Sequence, residues 1–96
     1  MASFAAKKES NIMLKGSLSS DQIRAARALL RWSAQKLAAE SGVGIATIKR
    51  YEVMDGVPAG NSRVISALRT ALEEGGVEFL GTPEDGPGVR MRSSKP

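Results

Sequence analysis

The chain has 96 residues, which suits one domain with one modest core, and a formal charge of +4, which favours polyanions as partners. With no cysteine and no histidine it excludes disulfide and thiol chemistry, and a zinc site would have only carboxylates to rest on. Hydrophobic residues make up 42%, but with one Trp, one Tyr and two Phe the core must be aliphatic.

Residues 1–17 show no sustained period and read as a flexible arm. Lys7, Lys8 and Lys15 stand there, as a DNA-seeking arm or as a solvated tail. The apolar cluster Ile12-Met13-Leu14 is too short and too late for a signal-peptide core. No run approaches the roughly 20 apolar residues that span a bilayer, so a cytoplasmic protein without a membrane partner is expected.

The first helix start is Ser19-Ser20-Asp21-Gln22: Ser19 and Gln22 have the spacing of a capping box, and Leu18 can staple onto Ile23. Ile23, Ala26, Leu29 and Leu30 then form a helical stripe that ends near Arg31. Ser33 caps a second, shorter helix through Ser41, with Leu37 and Ala38 facing inward. Gly42 marks a turn that asks for positive φ, and a third helix runs from Ile45 to Val53 with Ile48 and Tyr51 inward. Asp55 to Gly60 is a loop by composition. Asn61 or Ser62 opens a fourth helix carrying Val64, Ile65, Leu68 and Leu72, stopped by Gly75-Gly76. Val77 to Leu80 alternates as a strand does, Gly81 to Gly88 is turn-rich, and Val89 to Arg92 alternates again, so a terminal hairpin is expected before a frayed 93–96.

The charge is unevenly spread. From Asp21 to Met54 six basic residues (Arg24, Arg27, Arg31, Lys36, Lys49, Arg50) face three acidic ones. A basic stripe favours nucleic acid, because neutralising phosphates releases counterions. In the same segment, two short helices flank a glycine-containing turn, Gly42-Val43-Gly44. That unit places its second helix in the DNA major groove. Small Ala38, the turn glycine Gly42, apolar Val43 and aliphatic Ile48 stand in the register that the crossing needs. An enzyme is not expected: there is no phosphate-binding glycine loop after a strand, and no carboxylates are paired at helical spacing beyond the adjacent Glu73-Glu74. No cofactor or metal is expected.

The stretch Ile23 to Ser33, followed by Leu37-Ala38, Gly42-Val43 and Thr47-Ile48-Lys49-Arg50-Tyr51-Glu52, resembles the phage-repressor (Xre-type) helix-turn-helix family. The likeness covers Ser19 to Leu72, and the ending is similar to short bacterial members that finish in a strand or hairpin. It implies a mainly α fold: a four- to five-helix repressor-like DNA-binding domain over 18–75, with a C-terminal strand or hairpin over 76–92 as dimerisation element. It also implies that Arg27 and Glu52 form a structural ion pair between helices 1 and 3. DNA contact falls on Ser33, Gln35 and Lys36 at the start of helix 2, and on Gly44, Ile45, Ala46, Thr47, Lys49 and Arg50 around helix 3. Asn61 and Arg63 beyond the loop would touch the backbone. The partners implied are double-stranded DNA and a second copy of the chain, with Val77, Phe79 and Leu80 as the pairing strand.

The departures from the family pattern bear on mechanism. Ala34 stands where glutamine is usual, Gly44 where Ser or Thr caps helix 3, and Ile45-Ala46 where polar readers begin it. Ile45 and Ala46 offer base edges no hydrogen bonds, only contact with thymine methyls. Readout then rests on Thr47 and Arg50 with help from DNA shape, or the surface serves a protein partner, as an antitoxin or antiactivator would. Trp32 and Tyr51 read as core rather than stacking platforms. Arg90 and Arg92 serve equally as guards of a strand edge or as phosphate contacts.

Overall fold

A computed structural model describes residues 18–54 and 62–92. The expectations for the arm 1–17, the loop with Asn61, and residues 93–96 lie outside them. The chain order is α1 (Ser20–Leu30), α2 (Ala34–Ser41), α3 (Ile45–Val53), α4 (Ser62–Glu74), β1 (Val77–Thr82) and β2 (Asp85–Met91). The molecule is thus mainly α, four helices and an antiparallel hairpin among the described residues.

Each boundary has a local cause. Ser19 caps α1 reciprocally with Gln22: Ser19 Oγ accepts from the Gln22 N–H at 3.0 Å and Gln22 Oε1 from the Ser19 N–H at 3.1 Å. Arg31 closes α1 in the left-handed region at φ 58°, a conformation that costs a side-chain-bearing residue about 1 kcal/mol. Ser33 Oγ accepts from the Lys36 N–H at 3.0 Å and opens α2. Gly42 ends it with its N–H on the Ala38 carbonyl at 2.9 Å, at a φ of 78° that glycine adopts without the cost a side-chain-bearing residue would meet. By contrast α3 begins at Gly44 with no side-chain cap.

The core is aliphatic as composition requires. Leu18, Ile23, Leu37, Ile48, Leu68 and Leu72 are fully buried, with Ala26, Val43, Tyr51, Ile65, Ala71 and Val77 around them. Every helix contributes to it, so burial of one apolar stripe per helix accounts for the assembly. Ala38, Trp32 and Phe79 pack half-buried at its margin.

The hairpin departs from its expected limits. Its strands run to Thr82 and from Asp85, longer than Val77–Leu80 and Val89–Arg92, because the reversal is confined to Pro83-Glu84. The register shifts between Leu80–Gly88 and Thr82–Asp85, so Gly86 and Pro87 stand opposite the single residue Gly81, a bulge that absorbs the turn-rich composition. Gly81 is at φ 67°, and a Cβ there would run into the backbone oxygens of Asp85 and Gly86. Gln22 then ties the hairpin to α1: its Nε2 donates to the carbonyls of Leu80 at 3.3 Å and Gly88 at 3.2 Å. One glutamine serves as cap and as cross-brace.

Candidate nucleic-acid interface

In the α2–turn–α3 unit, α2 packs against α4, and the end of α3 is held by hydrogen bonds from α1. The last carbonyls of α3 have no partner within their own helix, since Met54 leaves in an extended conformation. They are met from α1: Ser20 Oγ donates to the Tyr51 carbonyl at 2.7 Å, and Arg24 Nη1 donates to the Glu52 carbonyl. Beside them Arg27 grips Glu52 with two bonds, Nε to Oε2 and Nη2 to Oε1, both 2.9 Å. Its Nη1 donates to the Trp32 carbonyl, also at 2.9 Å. The bidentate geometry suits an Arg–carboxylate pair better than any Lys could. Glu52 is buried, and its hydrogen bond raises the Arg27 guanidinium above its ordinary value despite burial acting the other way. Arg27 therefore stays charged at any ordinary pH.

The outward side of α3 is different. Ala46, Lys49, Arg50 and Val53 are exposed, at i, i+3, i+4 and i+7, which makes one continuous stripe. Ile45 and Thr47, expected to face outward with them, are half-buried at its flank. Periodicity alone places the stripe once Ile48, Tyr51 and Glu52 are known to be inward. Val53, 78% exposed, lies on it and was not among the expected contacts.

Ion pairing redistributes the basic excess. Arg24 pairs with Asp21, Arg27 with Glu52, Lys36 with Glu40, Arg69 with Glu73 and Arg90 with Glu78. Of the six basic residues between Asp21 and Met54, Arg31, Lys49 and Arg50 have no acidic partner among the described residues, and two of these three stand on the α3 stripe. Arg50 lies against the Tyr51 ring, 5.5 Å from its centroid, and Lys36 over Trp32 at 5.7 Å.

Of the remaining expected contacts, Ser33, Gln35 and Lys36 are exposed in the first turn of α2, where N–H groups point outward, but the Ser33 hydroxyl is already used as the cap. Gly44 is exposed ahead of α3, and Arg63 is exposed in the first turn of α4. Asn61 lies outside the described residues. An open cleft of about 410 Å³ lies between the end of α2 and α4, with Glu40, Arg63, Thr70 and Glu74 on its walls. No residue of α3 lines it.

The expected pairing strand needs one correction. Val77 is 1% exposed in the chain's own core and has no surface to offer a second copy. Phe79 is half-buried against the core with the Arg69 guanidinium 5.1 Å from its ring centroid, and Leu80 is half-buried. The strand following α4 closes the core before it meets solvent, which its alternation does not reveal.

Among the described residues no group of three or more acidic side chains is placed to hold a metal ion, and no helix is long and apolar enough to cross a membrane. Neither a comparison with protein-family models nor one with curated proteins finds a match to this chain.

Proposed function

We propose that this chain is a repressor-like helix-turn-helix protein that binds double-stranded DNA as a small transcriptional regulator, with α3 in the major groove and no catalytic role. The observation that carries this reading is the pair Lys49 and Arg50, exposed and without acidic partners on the outward stripe of the second helix of the unit. In a groove, Arg50 is the direct reader, suited to guanine O6 and N7, and Lys49 meets phosphate. Ala46 offers a methyl to thymine and Thr47 a hydroxyl from the flank. The first turn of α2 meets the backbone through its N–H groups, with Gln35 and Lys36 alongside. With so few readers, discrimination leans on DNA shape. A two-fold dimer would set two such helices roughly 34 Å apart on one face of the duplex.

Selection of bound duplexes from a random pool tests this. Enrichment of a two-fold symmetric site supports it. No retardation of any duplex at low salt, even at high protein concentration, overturns it.

A second reading has its own observation: Ala46 and Val53 put apolar surface on the same stripe, and Val53 is 78% exposed. A protein partner that docks on α3, as for an antitoxin or antiactivator, would cover both. In that case Ala46→Gln and Val53→Gln abolish partner capture, and duplex binding is absent.

A further inference from the structure

We propose that Arg31 makes a phosphate contact to the bound duplex, on the flank where α2 begins. Arg31 is not among the contacts that the family resemblance implies. The inference rests on the DNA-binding reading above and adds a positioning residue to it.

The backbone at Arg31 suits glycine better than arginine. There α1 closes with the Arg31 N–H on the Ala28 carbonyl and the Trp32 N–H on the Arg27 carbonyl, both at 3.0 Å. Such a closure needs a left-handed residue, and Arg31 supplies it at φ 58° and ψ 36°. It is the one residue other than glycine with positive φ among those described. Its side chain gives the fold little in exchange. Arg31 is exposed, and among the described residues its guanidinium has no hydrogen bond, ion pair or ring contact. With no bond to the last carbonyls of α1, its charge at the end of that helix dipole offsets only part of the backbone cost.

A strained position that holds an unengaged charge points to a partner outside the chain. The neighbours of Arg31 say which. It stands two residues ahead of Ser33, and Ser33, Gln35 and Lys36 are exposed in the first turn of α2. That flank meets the sugar–phosphate backbone when α3 lies in the groove. Lys36 is engaged within the chain, with Glu40 at 3.0 Å and over the Trp32 ring at 5.7 Å. Arg31 is the cation beside it with no acidic partner among the described residues. The position is also tied to the reading helix. Arg27 grips Glu52 of α3 and donates to the carbonyl of Trp32, the next residue after Arg31, both at 2.9 Å. A phosphate held by Arg31 would therefore set how α3 sits in the groove without reading a base.

Duplex binding across a salt series by the full chain and by Arg31→Gly, Arg31→Asn and Arg31→Lys tests the proposal, with a urea titration of each. Glycine and asparagine accept the left-handed backbone, so their urea midpoints should equal or exceed the parent's. Both variants should bind several-fold more weakly at low salt. Their slope of log K against log salt should be shallower by about 0.9 per protomer, with sequence preference unchanged. Arg31→Lys keeps the charge and should keep the slope. If the parent retards no duplex, the DNA-binding reading falls and the proposal with it. If the parent binds and the glycine and asparagine variants match its affinity and slope, the proposal alone is overturned. A lowered urea midpoint would assign the side chain to the fold, and a relaxed sequence preference would make it a base reader. Either result overturns the phosphate contact.

Discussion

On its inward side α3 carries Ile48, Tyr51 and Glu52, all buried, and its last carbonyls are met by Ser20 and Arg24 from α1. On its outward side Ala46, Lys49, Arg50 and Val53 stand in solvent, and among the described residues the two cations have no acidic partner. Nine residues of one helix thus meet two different requirements. The inward side is over-determined, since apolar burial, end-capping hydrogen bonds and a bidentate ion pair all fix the same pose. The outward side contributes little to folding and is therefore open to change with the partner. A helix presented this rigidly needs few contacts to be placed, because little of its binding free energy is lost in ordering it.

The sharpest break of this contrast comes from the inward side. Ile48→Ala leaves a cavity under the centre of α3 and should cost about 3–4 kcal/mol, read as a lowered urea midpoint at constant slope. Next comes Glu52→Ala, which strands Arg27. Because the Arg27 side chain keeps 27% of its surface in solvent, the loss should be about 2 kcal/mol rather than the larger figure for a sealed pair. A double-mutant cycle with Arg27→Ala should return a clear coupling; simple additivity would mean that the two groups do not act as a pair.

The uncapped start of α3 sharpens the comparison from the other direction. Gly44→Ser supplies the missing acceptor and should stabilise by a few tenths of a kcal/mol, whereas Ser33→Ala at the capped start of α2 should cost about 1 kcal/mol. No loss from Ser33→Ala would show that the cap on α2 is idle. Smallest of all for stability is Lys49→Ala with Arg50→Ala, expected within about 0.5 kcal/mol of the parent in the same urea titration. A larger loss would place these side chains in the scaffold.

Much of the scaffold is legible in the sequence because its signals are local. Ser19 with Gln22, Ser33 before Ala34, and Gly42 after Ser41 each act within four residues, and α2 and α3 fall where those residues put them. Long-range bonds carry no such mark. Nothing near Ser20 announces that its hydroxyl closes the far end of α3, and Gln22 gives no sign of bracing the hairpin. Arg24 counts toward a basic stripe until its partners, Asp21 and the Glu52 carbonyl, are known. Outwardness on α3 is legible only in part: Lys49 and Arg50 follow from period, but Ile45 and Thr47 are half-buried, and Val53, which composition does not mark as a surface residue, is the most exposed large hydrophobic residue among those described. Val77 errs the opposite way, since alternation says which face a residue takes but not whether the domain covers the edge.

The account turns on whether the outward side of α3 meets DNA. The direct measurement is the salt dependence of duplex binding by the parent and by the Lys49→Ala, Arg50→Ala variant, compared at matched stability. If both side chains neutralise phosphate, the variant's slope of log K against log salt should be shallower by about 1.8 per protomer. If Arg50 reads a base, the slope should fall by about 0.9 and sequence preference should relax with it. Unchanged slope and unchanged preference would contradict the account.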